Sequence, residues 1–353
     1  MDWFIVPDLD GPISGGTLYD RLLIASANDA GCPCMAVAVH RAHAVLAGAN
    51  AGDRLWVDSL YLEEFPALVR AARRSARVAL LAHYLPSLVT SGDGVRASDL
   101  SGVEVAALAA ASLVLVPSPF MRGMVERLAG PGRTILCLEP GRVAEGRAVL
   151  PGPPVQAVMV ANLVPGKGVA PFLACLGQQS LASDDFHLTI VGGASFDRDC
   201  AELCLVLGDG PRLRGRVRFV GQQTPAATLR HMAASNLFVS ASIVESFGMA
   251  LAEARTLGLP IVARAGGNVA TLVHGGCGGE LVADPSELAA ACLRLCRDTG
   301  EHRRRLALAH ATALTPRPWS EVGRELKVKL ARLSAGAPHD AVRREGRAHA
   351  NGT

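Results

Sequence analysis

The run Leu237-Phe-Val-Ser-Ala-Ser-Ile-Val-Glu-Ser-Phe-Gly-Met-Ala-Leu-Ala-Glu253 carries the fold in miniature. Its first part, Leu237 to Ser242, is the short apolar stretch expected of a strand buried in a parallel sheet, and Phe247 to Leu257 has helical periodicity. A strand that passes through a glycine, here Gly248, into a helix aims free backbone N–H groups and a positive dipole end at whatever lies above it. That is an anion site. Two carboxylates, Glu245 and Glu253, stand eight residues apart in this stretch. At about 1.5 Å per helical residue they would lie up to roughly 12 Å apart along an axis. Such a reach suits a ligand with hydroxyls at both ends and phosphates between, as in a nucleotide sugar. An ordinary helix with two solvated glutamates is the other reading of these residues alone.

Working outward, the same strand–helix alternation runs through most of the chain. Trp3–Pro7, Cys34–Val39, Arg54–Asp58, Val78–His83, Leu113–Pro117 and Thr134–Leu138 read as short strands. Helical stretches lie at Thr17–Ala30, Tyr61–Ser75, Ala97–Ala110 and Pro119–Ala129. The pattern breaks at Pro151-Gly-Pro-Pro154 and restarts with strands at Val155–Val160, Phe186–Val191, Val217–Val220, Leu237–Ser240 and Pro260–Ala263. Helices Ser286–Arg297, Glu301–Ala313 and Ser320–Leu333 follow, the last of them basic on one face. This is an α/β chain of two doubly wound domains, 1–152 and 153–316, each a parallel sheet covered on both faces. Residues 317–335 are assigned to the first domain, and 336–353, rich in Gly, Ala, His and Arg without periodicity, to a mobile tail.

Composition agrees with that reading. A chain of 353 residues is too long for one growing core. Half the residues are hydrophobic and 19% charged, which excludes disorder, and a net charge of +3 does not mark a nucleic-acid binder. The start lacks the basic and apolar regions of a signal peptide, and the most apolar window, 105–117, is too short to span a bilayer, so a cytoplasmic protein is expected. Cys200/Cys204 and Cys292/Cys296 are i,i+4 pairs, Cys32 and Cys34 flank a proline, and none has zinc-ligand spacing or histidine partners. Free, mostly buried thiols are expected.

Five post-strand segments converge with the opening stretch. Gly11-Pro-Ile-Ser-Gly-Gly-Thr17 places Gly15 and Gly16 at a helix start, where the backbone can approach a phosphate; it is neither a GxGxxG fingerprint nor a P-loop. Val158-Met-Val-Ala-Asn-Leu-Val-Pro-Gly-Lys-Gly168 sets Lys167 between glycines, either for a diphosphate or as a surface-turn lysine. Leu80-Leu-Ala-His-Tyr-Leu-Pro86 puts His83 at a strand's C-terminal end, as a ligand contact or as a satisfied strand-edge histidine. Ile190-Val-Gly-Gly193 would let a base or ribose approach, and Ala263-Arg-Ala-Gly-Gly-Asn268 is a further glycine turn.

In this order the segments from Val155 to Val282 resemble the retaining glycosyltransferases of family 4, which have the GT-B fold of two facing Rossmann-like domains. The first half is similar through Gly15-Gly16, His83 and Val116-Pro-Ser-Pro-Phe-Met121, and Trp319 is similar to the aromatic position where the chain crosses back. The resemblance implies a metal-independent transfer with retention, without cofactor, from a nucleotide-diphosphate sugar, UDP- or GDP-linked, to an acceptor of which a small molecule is favoured. It implies that Glu253 holds the ribose, that Glu245 contacts the donor sugar, and that Ser246, Phe247, Gly248, Met249 and Ala250 line sugar and phosphates through backbone groups. Lys167 would neutralise the diphosphate with help from Gly16 and Gly15, Gly193 would face the nucleotide, and His83 would meet the sugar from the acceptor side. Family members usually carry arginine five residues before the lysine; here Asn162 stands there, which implies a weaker donor contact or compensation elsewhere.

Two other classes stay open at this point: a GT-B epimerase or phosphorylase, and a catalytically silent nucleotide-sugar-binding partner protein. The basic run Val69–Arg77 reads first as a solvated helix face and second as a contact for an anionic membrane or acceptor. Sequence leaves oligomeric state, base, sugar and acceptor open.

Overall fold

Twelve strands form two separate six-stranded sheets in a computed structural model that describes residues 1–72, 76–143, 154–179 and 186–335. The first sheet contains β1 (Asp2–Ile5), β2 (Cys34–Val37), β3 (Asp53–Asp58), β4 (Ala76–Leu81), β5 (Leu113–Val116) and β6 (Thr134–Cys137), in the order β2-β1-β3-β4-β5-β6. The second contains β7 (Val155–Val160), β8 (Phe186–Val191), β9 (Val217–Phe219), β10 (Leu237–Ser240), β11 (Ile261–Arg264) and β12 (Glu280–Val282), in the order β12-β11-β10-β7-β8-β9. All ten strand pairings are parallel.

Parallel strands covered on both faces need apolar side chains at successive positions. Leu113-Val-Leu-Val116 and Leu237-Phe-Val-Ser240 are buried throughout. The period of two divides them between faces: Val78 and Leu80 of β4 enter one core, Ala79 and Leu81 the other. Each lobe therefore has two cores, one per face of its sheet.

Strand order locates the ligand edge. In the first sheet the chain reverses direction of growth between β1 and β3, and in the second between β7 and β10. Open α/β sheets bind ligands beyond the C-terminal ends of the strands at such reversals. The segments that leave those four strands hold Gly15 and Gly16, Asp58, Asn162 with Lys167, and Glu245.

The final helix, Trp319–Ser334, packs on Gly15–Asp29 of the first lobe. Val322, Leu326 and Leu330 complete a core with Phe4, Tyr19 and Leu23. Gly323 is required there, since a Cβ would lie 2.1 Å from the Ser26 carbonyl oxygen. The crossing is tied down by reciprocal backbone bonds between Arg142 and Arg317, 2.8 and 2.9 Å.

Several boundaries differ from the sequence reading. Tyr61–Ser75 is not one helix: a 3-10 turn ends at Tyr61, and the helix covers Phe65–Ala71 with Pro66 in its first turn. The helix read from Ala97 begins at Gly102, because Ser101 caps it in a capping box with Glu104. Strand β12, three residues long, went unread. The linker at 151–153, the tail at 336–353 and residues 73–75 of the basic run lie outside the described residues. Among the described residues no helix is long and apolar enough to cross a membrane. All nine cysteines are free, and six are buried.

Candidate functional site between the lobes

The helix after β10 begins at Met249, not Phe247. Gly248 sits at φ +88°, a left-handed conformation that a side chain resists, and it turns the chain sharply into the helix. No side chain caps this end, and the first intrahelical bond runs from the Ala252 N–H to the Gly248 carbonyl, 2.9 Å. The N–H groups of Met249, Ala250 and Leu251 thus have no helical partner and point out of the helix end, the arrangement that receives anions.

The same turn overturns the expectation that Glu245 and Glu253 are spaced by helical rise. Glu245 belongs to an extended segment bridged to Gly267, with its N–H on the Gly266 carbonyl and its carbonyl accepting from the Asn268 N–H, 2.7 Å. Asn268 also donates to the Phe247 carbonyl at 2.9 Å, which fixes the segment between the two glutamates. Ser246 lies in it with its carbonyl bonded to the Ser118 hydroxyl of the first lobe. Phe247 is buried.

Lys167, in the 3-10 turn after β7, reaches across to Glu245: Nζ and Oε1 are 2.6 Å apart. Both side chains retain exposure, 34% and 17%, so the pair is worth at most about 1 kcal/mol. Glu253, half-buried on the second turn of its helix, makes no hydrogen bond or ion pair among the described residues. Desolvation alone raises its pKa from 4.5 to about 7.

Asn162 and Gly193 do something the sequence did not suggest. Asn162 accepts from the Gly193 N–H at 2.8 Å and donates through Nδ2 to the Ile13 carbonyl of the first lobe at 2.9 Å. Gln222 accepts the Ile13 N–H at 2.9 Å, so the backbone of one residue of the glycine loop is gripped on both sides. The neutral side chain at the arginine position is a fastening between lobes. The Gly193 N–H is consumed within that fastening, and Gly192 is required by backbone packing, since a Cβ would lie 1.9 Å from the Ala161 carbonyl. The glycine pair serves the fold before any ribose. On the other flank the Gly267 N–H donates to Asp93 of the first lobe at 2.6 Å, and Val244 packs against a first-lobe core.

From the first lobe, Ser14 caps the helix that contains Gly15 and Gly16, its hydroxyl accepting from the Thr17 N–H at 3.1 Å. Gly16 lies against the His83 ring: a Cβ there would sit 3.5 Å from Cδ2. His83 is buried, and its Nε2 is 2.8 Å from Asp20 and 3.8 Å from Asp58. Burial works to lower its pKa, but the two carboxylates outweigh it and push it up to about 9. Desolvation, partly offset by His83 and reinforced by Asp20, raises Asp58 to about 6. The structure thus joins Lys167 to Glu245 and the uncapped helix, and sets His83 in a separate buried cluster under the glycine loop.

Sequence reasoning missed Asp20, Asp58, Asp93, Ser118 and Gln222. Asp58 had a readable signal, an acid at the C-terminal end of a strand; Asp20 shows its role only once His83 is packed beside it, and Asp93, Ser118 and Gln222 depend on the partner lobe. Two clusters among the described residues bring three metal-capable atoms within 4.8 Å, Asp20–Asp58–His83 and Asp2–Cys32–Cys34. In the second, Asp2 is already bonded to Arg54 and Trp56.

The architecture is that of GT-B proteins. It is similar to sucrose-phosphate synthase from Thermosynechococcus elongatus, TM-score 0.74 and 18% identity over 95% of this chain and 99% of that one. It is also similar to Anabaena HepE in complex with UDP-glucose, TM-score 0.71 and 19% identity over 94% and 99%. In sequence, residues 154–298 match the family described as Glycosyl transferases group 1. Two D-inositol 3-phosphate glycosyltransferases are similar: that of Nocardioides sp., 36% identical over 145 residues, 38% of this chain and 31% of the relative, and that of Nocardia farcinica, 32% over 201 residues, 52% and 43%. The chain therefore spans less than half the length of these curated relatives.

Proposed function

We propose that this protein is a retaining glycosyltransferase that moves a sugar from a nucleotide diphosphate to an acceptor, without a metal ion. The observation that carries the reading is the Lys167–Glu245 pair beside the uncapped start of Met249–Leu257, at the strand reversal of the second sheet. On this reading the diphosphate takes the place of Glu245 as the partner of Lys167 and accepts hydrogen bonds from the free N–H groups of Met249 to Leu251. Lysine and helix dipole then stabilise the charge that develops on the leaving phosphate. The freed Glu245 accepts from a hydroxyl of the donor sugar and orients it. Glu253 accepts from the ribose diol. The acceptor oxygen attacks on the face that the diphosphate leaves, and a phosphate oxygen takes its proton, so no enzyme carboxylate bonds to carbon.

UDP-sugars are the first donors to test, in keeping with the UDP-glucose that HepE binds in its crystal structure. Thermal-shift screening of UDP-, GDP- and ADP-sugars identifies the donor through the rise in melting temperature that ligand binding produces. NMR of the product's anomeric centre then tests retention, and an inverted product refutes the front-face mechanism. One observation favours a second reading, a silent nucleotide-sugar binder: the arginine position holds Asn162, whose amide is engaged by Ile13 and Gly193. Donor binding in calorimetry without UDP release across acceptors would establish that reading instead.

A further inference from the structure

Asp20 is fully buried, and it sits in the second turn of the helix capped by Ser14, beneath the loop that closes on the second lobe. One of its oxygens meets His83 Nε2; the other, Oδ2, is buried without a hydrogen-bond partner. Asp20 fixes the imidazole through its bonded oxygen, with Asp58 close enough to act on both groups. The His83 ring is held at Nε2 by Asp20, lies edge-to-face with the Tyr19 ring at 5.1 Å between centroids, and sits beside Gly16. Nδ1 has no partner among the described residues and is not sealed from solvent.

The groups that face His83 from each packed element are few. Asp20 comes from the first helix, Asp58 from the end of β3, and Tyr19 donates its hydroxyl to the Leu138 carbonyl at 2.8 Å and stays neutral. Asp58 is itself held by the Leu60 N–H at 2.8 Å, so it cannot swing toward the ring. Among the described residues two acids, and no cation, act on this histidine.

We propose that Asp20 is a positioning residue that locks the His83 ring through Nε2 and keeps it an imidazolium, so that Nδ1–H is offered to an oxygen of the bound sugar as a charged donor. A neutral histidine held by a carboxylate at Nε2–H would present Nδ1 as an acceptor, the opposite polarity. The dyad therefore decides whether the cleft receives a hydroxyl as donor or as acceptor. Asp58 adds to the same end from a greater distance, 3.8 Å, as long as it is ionised. The consequence for turnover rests on the nucleotide-sugar reading of the cleft; the charge state of His83 does not.

The test is an NMR titration of the histidine ring signals in the full chain, with His83→Gln used to assign the His83 signal. The wild-type midpoint is expected near 9, and in Asp20→Asn, which keeps the hydrogen bond but not the charge, it falls by about 1–3 pH units. In Asp58→Asn, whose partner is 3.8 Å from the ring rather than 2.8 Å, it falls less. A wild-type midpoint below 7, or one unchanged in Asp20→Asn, overturns the proposal. Should Asp20→Asn not fold, Asp58→Asn decides alone, since a midpoint dropping to the ordinary range there would place control with Asp58. UDP release from UDP-glucose supplies the second readout: Asp20→Asn moves the alkaline limb of kcat to lower pH and leaves KM within about twofold. A uniform loss at every pH would mean a merely structural role. Absence of UDP release from the wild type would count against the proposed function and leave the titration result standing.

Discussion

Glu253→Gln should make the ligand-free protein more stable and its donor binding weaker. In the folded chain the Glu253 carboxyl is raised from 4.5 to about 7 by desolvation, with no compensating cation. A group raised on folding contributes stability at low pH that is lost as pH climbs through the folded value. Between the two pKa values each pH unit is worth about 1.4 kcal/mol, so ionisation costs the folded state about 3 kcal/mol at pH 8 and under about 1 kcal/mol at pH 5. Glutamine keeps the shape and removes that cost. Melting temperature at pH 8 should rise by about 6–12 °C, at about 2–4 °C per kcal/mol, while the two proteins nearly coincide at pH 5. On the proposed reading the ribose diol, by contrast, would lose a charged acceptor, worth about 1.5–3 kcal/mol, or roughly 10- to 150-fold in the Kd for UDP. Wild-type affinity should itself fall about tenfold from pH 8 to pH 6 as the carboxylate protonates. Thermal melts across pH and calorimetry with UDP read both halves. A variant no more stable than wild type at pH 8, or equally stabilised at pH 5 and pH 8, refutes the burial argument; unchanged UDP affinity refutes the ribose contact.

Other outcomes follow from the same geometry. If Lys167 is the cation of the diphosphate as proposed, Lys167→Met should lower kcat by about 10²–10³ with little change in melting temperature, because the pair it breaks is partly exposed; steady-state kinetics with the cognate donor checks this. Asn162→Ala removes bonds to Ile13 and Gly193, each worth about 0.5–1.5 kcal/mol, and should widen the interlobe angle, seen as a larger radius of gyration in solution scattering. Gly323→Ala forces a Cβ onto the Ser26 carbonyl and should cost about 1–3 kcal/mol in chemical denaturation, whereas Gly102→Ala, with open space around it, should cost little.

Where the fold was legible, it was because a buried parallel strand cannot hide its composition. Val155–Val160, Phe186–Val191 and Leu237–Ser240 have the bounds their apolar runs announce, and Pro119–Ala129 is delimited by Ser118 and Gly130. Periodicity fails where conformation is decided by contact. Phe247 continues the helical pattern of Met249–Leu257, yet Gly248 at φ +88° separates them, and only the packed structure selects that turn. The three-residue β12 offers too few positions for any period. The candidate site was partly visible, through Lys167, Glu245, Glu253 and the glycines, because helix starts and strand ends have local signatures. Its pairings were not. Lys167 and Glu245 are 78 residues apart, and Asn162 meets Ile13 across 149, so nothing in either neighbourhood names the other. The buried company of His83 was hidden for the same reason: Asp20 reads as an ordinary polar position on a helix until β3 and β4 are placed beside it.

Trp319–Ser334 has a bearing on how the molecule is made. A nascent chain emerging from a ribosome exposes the first sheet long before the segment that closes one of its faces, since Val322, Leu326 and Leu330 arrive after the whole second lobe. During synthesis Phe4, Leu23 and their neighbours must wait with an unroofed apolar surface, open to chaperones or to aggregation. A premature stop before Pro318 would thus harm the lobe at the opposite end of the message, and the half translated earliest would be the last to mature.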